Sequence, residues 1–490
     1  MLTYKSARGR WVVVATVLGS GLALLDATVV GIALPRIGKD FHSGVSSLQW
    51  VVTAYTLTLA AFLLLGGTLG DRYGRRRVFA IGVVWFAVAS GACAAAPTAT
   101  TLIAARALQG VGAALLTPGS LAILQSAFVP DDRSRAIGAW SGLGAFATAA
   151  GPLLGGYLLS VGSWRLVFLI NLPLAAAVLE ITRRHVPEST AATSGRIDVP
   201  GAVWAVLSLS TVIYALIEAP ADGWGSAAVV GCLIVGVVAA AAFAVTERRS
   251  VSPMLPPSMF ASRQFTATNA VTFCVYGALG GALFLLPVAL QQVAGYTPLD
   301  AGLTLIPVTV LMLTLSAASG RLATRIGPRL QMSAGPLVAG VGLVLLARLT
   351  TDFSYWSGVL PGIVLLGAGL VITVAPLTST AMSSAPGEHA GLASAVNNDV
   401  ARAAGLLAVA ILPVVSGLTG DAYLHPAVFA HGYRIASVLA GGLCAVGAVI
   451  AGLAISNTHD HIADHPRLSQ PCVGATAPPL TSTTPPTIPR

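Results

Sequence analysis

Apolar residues run through this chain in long blocks, broken at short intervals by clusters rich in Gly, Pro, Asp and Arg. A helix that spans a bilayer needs roughly 20 predominantly apolar residues. Fourteen blocks meet that length. The first six cover residues 11–34, 48–70, 78–96, 101–128, 136–161 and 164–181. Two more follow at 199–217 and 227–245, and the last six at 265–293, 301–319, 332–349, 356–382, 391–412 and 433–455. The pattern predicts an all-α polytopic membrane protein. After residue 456 the character changes to a His- and Asp-containing run followed by Pro, Ser and Thr, a composition that cannot build a core, so a disordered tail is expected over 457–490.

Composition narrows the class further. Only 9% of the 490 residues are charged and 55% are hydrophobic, whereas a soluble domain carries about 25% charged residues. The net charge of +9 sits in the short segments between blocks. That placement suits the anionic leaflet of a membrane, not a basic nucleic-acid-binding face. With the amino terminus inside, 20 of the 27 Lys and Arg fall on the same side as that terminus. The opposite side holds Arg36, Lys39, Arg165, Arg348 and Arg434, while Arg106 and Arg402 lie within spans. The positive-inside rule then places both termini in the cytoplasm, and a bacterial inner membrane is expected. Lys5, Arg8 and Arg10 before an apolar stretch superficially resemble a secretion signal. The stretch is too long, carries Asp26 and lacks a small-x-small cleavage site, so it is expected to remain as the first helix.

Cys93, Cys232, Cys274, Cys444 and Cys472 form no CxxC pair, and four of them sit in apolar blocks. His461 and His465 have the spacing of metal ligands on a helix, but a solvated tail is the simpler expectation, and no metal site is expected. No HExxH, GxSxG or Walker loop is present, which argues against an enzyme and against ATP as energy source. A transporter-like sensor would need a soluble signalling domain, and none is visible.

The chain also repeats itself. Gly67-Thr-Leu-Gly-Asp-Arg-Tyr-Gly-Arg-Arg76 follows the second span, and Gly320-Arg-Leu-Ala-Thr-Arg-Ile-Gly-Pro-Arg329 follows the tenth. Gly67, Leu69, Arg72, Gly74 and Arg76 match Gly320, Leu322, Arg325, Gly327 and Arg329 at one constant offset. Two six-helix units are therefore expected, residues 1–182 and 263–456, with residues 183–262 inserting two further spans between them. Parallel repeats of this kind place a binding cavity near the midplane between halves that rock.

The first of these loops resembles motif A of the major facilitator superfamily. Other stretches agree. Leu25-Asp-Ala-Thr-Val-Val-Gly-Ile-Ala-Leu-Pro35 is similar to the first-helix signature of its fourteen-helix drug:proton antiporter group. Arg106-Ala-Leu-Gln-Gly110 is similar to motif B, and Gly151-Pro-Leu-Leu-Gly-Gly156 to the antiporter motif C. Trp164, Arg165, Phe168, Asn171 and Pro173 fit the start of the sixth helix. The resemblance implies the major facilitator fold and export of amphiphilic drugs or metabolites in exchange for protons, without a cofactor. The alternative is a dedicated exporter or flippase for one endogenous metabolite, antibiotic or lipid. A monomer is expected.

Within this frame Asp26 stands mid-span, where a charge costs about 2.5–3.5 kcal/mol on insertion scales. Withdrawal from water disfavours the charged form of a carboxyl group, which suits a group that takes and releases a proton. A structural Asp tied to a neighbouring hydroxyl is the plainer alternative. Arg106 keeps its charge, and the resemblance implies a coupling role; a structural tie between helices stays open. Asp71, with Gly67, Gly70, Arg72, Gly74, Arg75, Arg76 and Arg77, is expected to form a gate, its carboxylate capping a helix across the two halves in a contact that breaks on opening to the cytoplasm. The arginines either join that latch or only fix topology. Thr324 stands where the second copy would carry the acid, so a one-sided latch is expected. Gly151, Pro152, Gly155 and Gly156 interrupt the backbone ladder and admit a neighbouring helix.

Trp50, Tyr55, Tyr276, Asn397, Asn398, Asp399 and Arg402 are candidate cavity residues, with Trp50 equally suited to anchor at the membrane interface. Asp399 departs from the Asn and Arg usual in similar proteins; it is either a second protonation site or, the favoured expectation, the partner of Arg402 three residues on. Gly31 replaces an Asn common in similar exporters.

Overall fold

In lipid every backbone N–H and C=O must find its partner inside the segment, so apolar blocks of this length fold as helices. The structure, a computed structural model, describes residues 2–190, 198–250, 253, 255, 257–349, 354–384 and 390–457. The tail from 458 onward, with His461 and His465, lies outside the described residues.

The first five predicted spans are the helices α1 (Ala7–Phe41), α2 (Val45–Tyr73), α3 (Arg75–Ala95), α4 (Ala99–Ala127) and α5 (Pro130–Val161). The sixth is built in two pieces, α6 (Leu166–Leu169) and α7 (Asn171–His185). Pro173 has no N–H for the carbonyl of Leu169, so the ladder breaks there. The inserted spans are α8 (Val199–Asp222) and α9 (Ala227–Arg249), and α10 (Arg263–Gln292) opens the second unit. The tenth span is again divided, into α11 (Pro298–Leu303) and α12 (Ile306–Ile326), with Pro307 standing four residues after Leu303 as Pro173 does after Leu169. Then come α13 (Pro328–Leu346), α14 (Leu360–Ser383), α15 (Ala390–Val415) and α16 (Pro426–Ala454).

Among the described residues, thirteen helical segments are long and apolar enough to cross a membrane. The remaining predicted span falls on α5, whose 32 residues extend roughly 48 Å at 1.5 Å per residue, beyond a hydrocarbon thickness of about 30 Å. All fourteen predicted spans lie on helices.

In the amino-terminal half α2 and α3 pack on α4, and α1 packs on α5 and α7. In the carboxy-terminal half α13 packs on α14 and α16, and α10 on α15 and α16. The inserted pair, α8 and α9, pack on each other, and α8 also touches α2 and α15.

The sequence repeat survives as geometry. Gly74 and Gly327 end α2 and α12 with φ of +110° and +83°, a region glycine enters at no steric cost. Each donates its N–H to the carbonyl four residues back, Gly70 or Ala323, at 3.0 Å. The next helix is capped in the same way in both copies. Glu188 accepts from the N–H of Arg76 at 3.0 Å and of Arg77 at 3.2 Å. Asn457 accepts from Arg329 at 3.0 Å.

The halves share their core on one side only. One apolar cluster joins Val30 and Ile37 of α1 to Leu286 and Leu290 of α10, all buried, at the Arg-poor end of the helices, and a smaller one joins Leu57 of α2 to Leu406 and Ala410 of α15 through Ile213 and Ile217 of α8. Two other clusters near the Arg-rich end are confined to one half each, around Phe79 and Leu124, and around Met332 and Leu377. Hydrogen bonds from three residues cross between the halves at the Arg-poor end among the described residues. Gln49 donates to the Val409 carbonyl at 2.7 Å, Gln291 to that of Ile32 at 3.0 Å, and the Val45 N–H to that of Gly420 at 2.7 Å. The molecule is closed on its Arg-poor side.

Candidate functional site

Asp26 is fully buried at the middle of α1 and is the centre of a five-residue polar cluster drawn from four helices. Arg106 and Gln109, three apart on α4, face it together. Ser90 comes from α3, and Asn171 from the first residue of α7, where the break at Pro173 begins a new helix. All five are at most 1% exposed.

One carboxylate oxygen of Asp26 accepts from Nη1 of Arg106. The other accepts from Nε2 of Gln109 at 2.8 Å and Nδ2 of Asn171 at 3.0 Å. Arg106 also donates to Oε1 of Gln109 at 2.7 Å and, through Nε, to the Val51 carbonyl at 3.0 Å, which ties α2 to the cluster. Its guanidinium lies 4.2 Å from the ring centroid of Tyr55, a cation–π contact strengthened by exclusion of water. Tyr55 in turn donates its hydroxyl to the Ala23 carbonyl on α1 at 3.0 Å. Ser90 accepts from Asn171 at 2.9 Å and donates to the Phe168 carbonyl at 2.9 Å. One buried oxygen of the cluster, Oδ1 of Asn171, has no hydrogen-bond partner.

Sequence alone left open whether Asp26 meets Arg106; the fold brings them together. It did not single out Gln109, Asn171 or Ser90, although the first two lie inside quoted motifs. Each is an amide or hydroxyl in an apolar block, and only the helix register shows that they converge.

The four motif C residues are buried and hold α5 against two neighbours. A Cβ at Gly151 would collide with the hydroxyl of Thr28, and one at Gly155 would stand 3.1 Å from the Val29 carbonyl oxygen. A Cβ at Gly156 would meet the Pro298 carbonyl of the other half at 2.6 Å. Thus α5 touches α1 within a turn of Asp26 and touches α11 across the interface.

Among the described residues Asp71 caps no helix of the other half in this structure, which is closed on its Arg-poor side. Asp71 binds Arg75 of its own loop, Oδ1 lying 2.8 Å from Nε and 2.7 Å from Nη2. The cap of α3 is supplied by Glu188 from the same half, because the chain after α7 runs under that helix end and a carboxylate there meets two free N–H groups. Arg75 further reaches the Ala122 carbonyl at 3.4 Å, and Arg76 that of Val186 at 3.3 Å. In the second copy Thr324 bonds only the Arg321 carbonyl of its own helix, at 2.8 Å.

Several candidate cavity residues have other partners. Trp50 donates to Glu218 of α8 at 2.6 Å and so anchors the inserted pair. Asn397 is buried and ties α15 to α10 through Asn269 at 3.2 Å and Thr272 at 2.7 Å. Asn398 bonds the Ser394 carbonyl on its own helix at 2.9 Å. Tyr276 is partly buried against the carboxy-terminal core. Among the described residues Asp399 and Arg402 form no ion pair. Three positions on a helix leave them roughly 60° apart around the axis, and Asp399 turns with Val396, Val400 and Ala403 toward α8.

Helical halves related by a repeat, a buried charge cluster at the middle of α1 and a core shared at one end are the architecture of a multi-pass membrane transporter. Residues 16–410 match the model of the Major Facilitator Superfamily, and the chain belongs to that family. It is 37% identical over 418 residues to the multidrug resistance protein Stp of Mycobacterium tuberculosis, covering 84% of this chain and 77% of that one. It is 34% identical over 425 residues to the tetracenomycin C resistance and export protein of Streptomyces glaucescens, covering 85% and 78%. Its fold is similar to that of a bacterial homolog of the human lysosomal transporter Spinster, with a TM-score of 0.66 and 17% identity over 92% of this chain and 97% of that chain.

Proposed function

We propose that the protein exports small amphiphilic compounds from the cytoplasm in exchange for inward protons, with both termini cytoplasmic in a bacterial inner membrane. The observation that carries this reading is the Asp26 carboxylate, fully buried and held by Arg106, Gln109 and Asn171. A proton arriving on Asp26 cancels its attraction for Arg106 and turns one carboxylate oxygen into a donor. Half a turn of the Asn171 amide presents its unpartnered Oδ1 to that proton. Arg106, still bonded to Val51 of α2, then pulls on a different set of helices than before. Motif C passes the shift of α1 through α5 to α11 in the other half.

Relatives named for multidrug resistance and for export support the direction and the ligand class. Closure on the Arg-poor side is the arrangement that a cytoplasm-facing state would have. The driving force is ample, since the membrane potential supplies about 2.3 kcal/mol per charge per 100 mV.

Expression in a drug-sensitive bacterium that lacks its own pumps tests the reading. Efflux of ethidium should be stopped by a protonophore and reduced at least about a hundredfold by Asp26→Asn, which retains hydrogen bonding but holds no exchangeable charge. Efflux unchanged in Asp26→Asn would remove Asp26 from the mechanism.

A further inference from the structure

A half-open cavity of about 350 Å³ lies between the inserted helices and the seam of α2 and α15. Its walls are Leu57 and Ala61 of α2, Ala205 and Leu209 of α8, Phe243 of α9 and, from α15, Asp399. Asp399 is the single charged residue of a lining otherwise apolar but for Ser208. It is exposed, where Asp26 is fully buried, and no hydrogen bond or ion pair holds it among the described residues. The cavity lies toward the Arg-rich ends of α8, α9 and α15 and beside the middle of α2, and none of the Asp26 cluster lines it. Its size is in the range of sites for drug-sized ligands, about 300–1,000 Å³. The Asp399 carboxylate is the one negative charge on an otherwise apolar lining, where it would attract a positive group. Phe243 adds an aromatic face of the kind that attracts a cation.

We infer that this cavity binds lipophilic organic cations taken from the adjoining membrane leaflet, with Asp399 as their counter-charge. The choice of ligand class rests on the export reading, but binding does not require transport. The inserted pair then has a role: α8 and α9 form the outer wall of a lateral site at the seam of α2 and α15. Small side chains at Ala61 and Ala205 leave the space, and Trp50 fastens α8 by its bond to Glu218. Arg402 does not line the cavity and makes no ion pair with Asp399 among the described residues.

Equilibrium binding to the purified full chain in zwitterionic nanodiscs tests the site with tetraphenylphosphonium as the cation and triphenylphosphine oxide as a neutral compound of similar shape. Asp399→Asn should weaken tetraphenylphosphonium binding about tenfold or more and change binding of the neutral compound less than about twofold. Asp399→Glu should keep the cation, and Ala205→Phe, which fills the cavity without touching the charge, should weaken both compounds. Binding in Asp26→Asn should persist, so loss of proton-coupled efflux with intact binding would affect only the export reading. Cation affinity unchanged in both Asp399→Asn and Ala205→Phe, or lost only in Asp26→Asn, would overturn the proposal.

Discussion

Arg106 holds Asp26, Gln109, the Val51 carbonyl and the Tyr55 ring at once, so three helices of the amino-terminal half meet in one guanidinium. Arg106→Leu should leave Asp26 as an uncompensated buried acid and destabilise the protein by about 3–5 kcal/mol. The double variant Asp26→Asn with Arg106→Leu should recover part of that loss, because no charge then remains unpaired. Thermal unfolding of the purified protein in detergent measures both; equal destabilisation by the single and double variants would show that the pair does not matter to stability. Asp26 and Arg106 were legible from the sequence because a charge in an apolar block is conspicuous. Asn171, Gln109 and Ser90 were not, since neutral polar residues are common in membrane helices and their convergence is a matter of register. Asp399 was legible as a departure but not in its role, because a spacing of three suggests a partner without fixing which way the carboxylate turns.

At the scale of elements, helix contacts follow glycine. The stripe Gly151, Gly155 and Gly156 lets α5 approach α1 on one side and α11 on the other. Gly155→Val should therefore push α1 and α5 apart beside Asp26, since its side chain would meet both the side chain and the backbone of Val29. Overpacking of this kind typically costs about 1–3 kcal/mol, and transport should fall more than expression does. Transport rate per folded molecule, counted by surface labelling, separates the two; a rate unchanged per molecule would make motif C a packing feature only. The span pattern was readable because each crossing needs a long apolar run. The two divided spans were not, because Pro173 and Pro307 sit within runs that remain apolar on both sides. The cap of α3 was hidden for a related reason: Asp71 lies in a recognisable loop, while the capping Glu188 comes from a distant segment that carries no pattern of its own.

For the whole molecule, the offset between the two loops foretold a repeat, and Gly74 with Gly327, and Glu188 with Asn457, show it kept in backbone and cap alike. The repeat is unequal where it matters for function. The first half has the buried acid and the Asp71–Arg75 pair, while the second has Thr324 and the Asn397–Asn269–Thr272 tie. Charge-dependent motion should then start in the first half and reach the second through α5 and α11. The Arg asymmetry of the loops indicated sidedness, but which side is closed is set by packing across the halves, which no single segment records.

Purified protein reconstituted in liposomes, with no nucleotide present and an interior more acidic than the medium, separates proton exchange from passive transport. The pH gradient should drive a lipophilic cation such as ethidium inward against its own gradient while protons leave. Nigericin should abolish the uptake, and Asp26→Asn should show none. Uptake that merely equilibrates the compound, indifferent to the pH gradient and retained in Asp26→Asn, would contradict proton exchange and leave a uniporter.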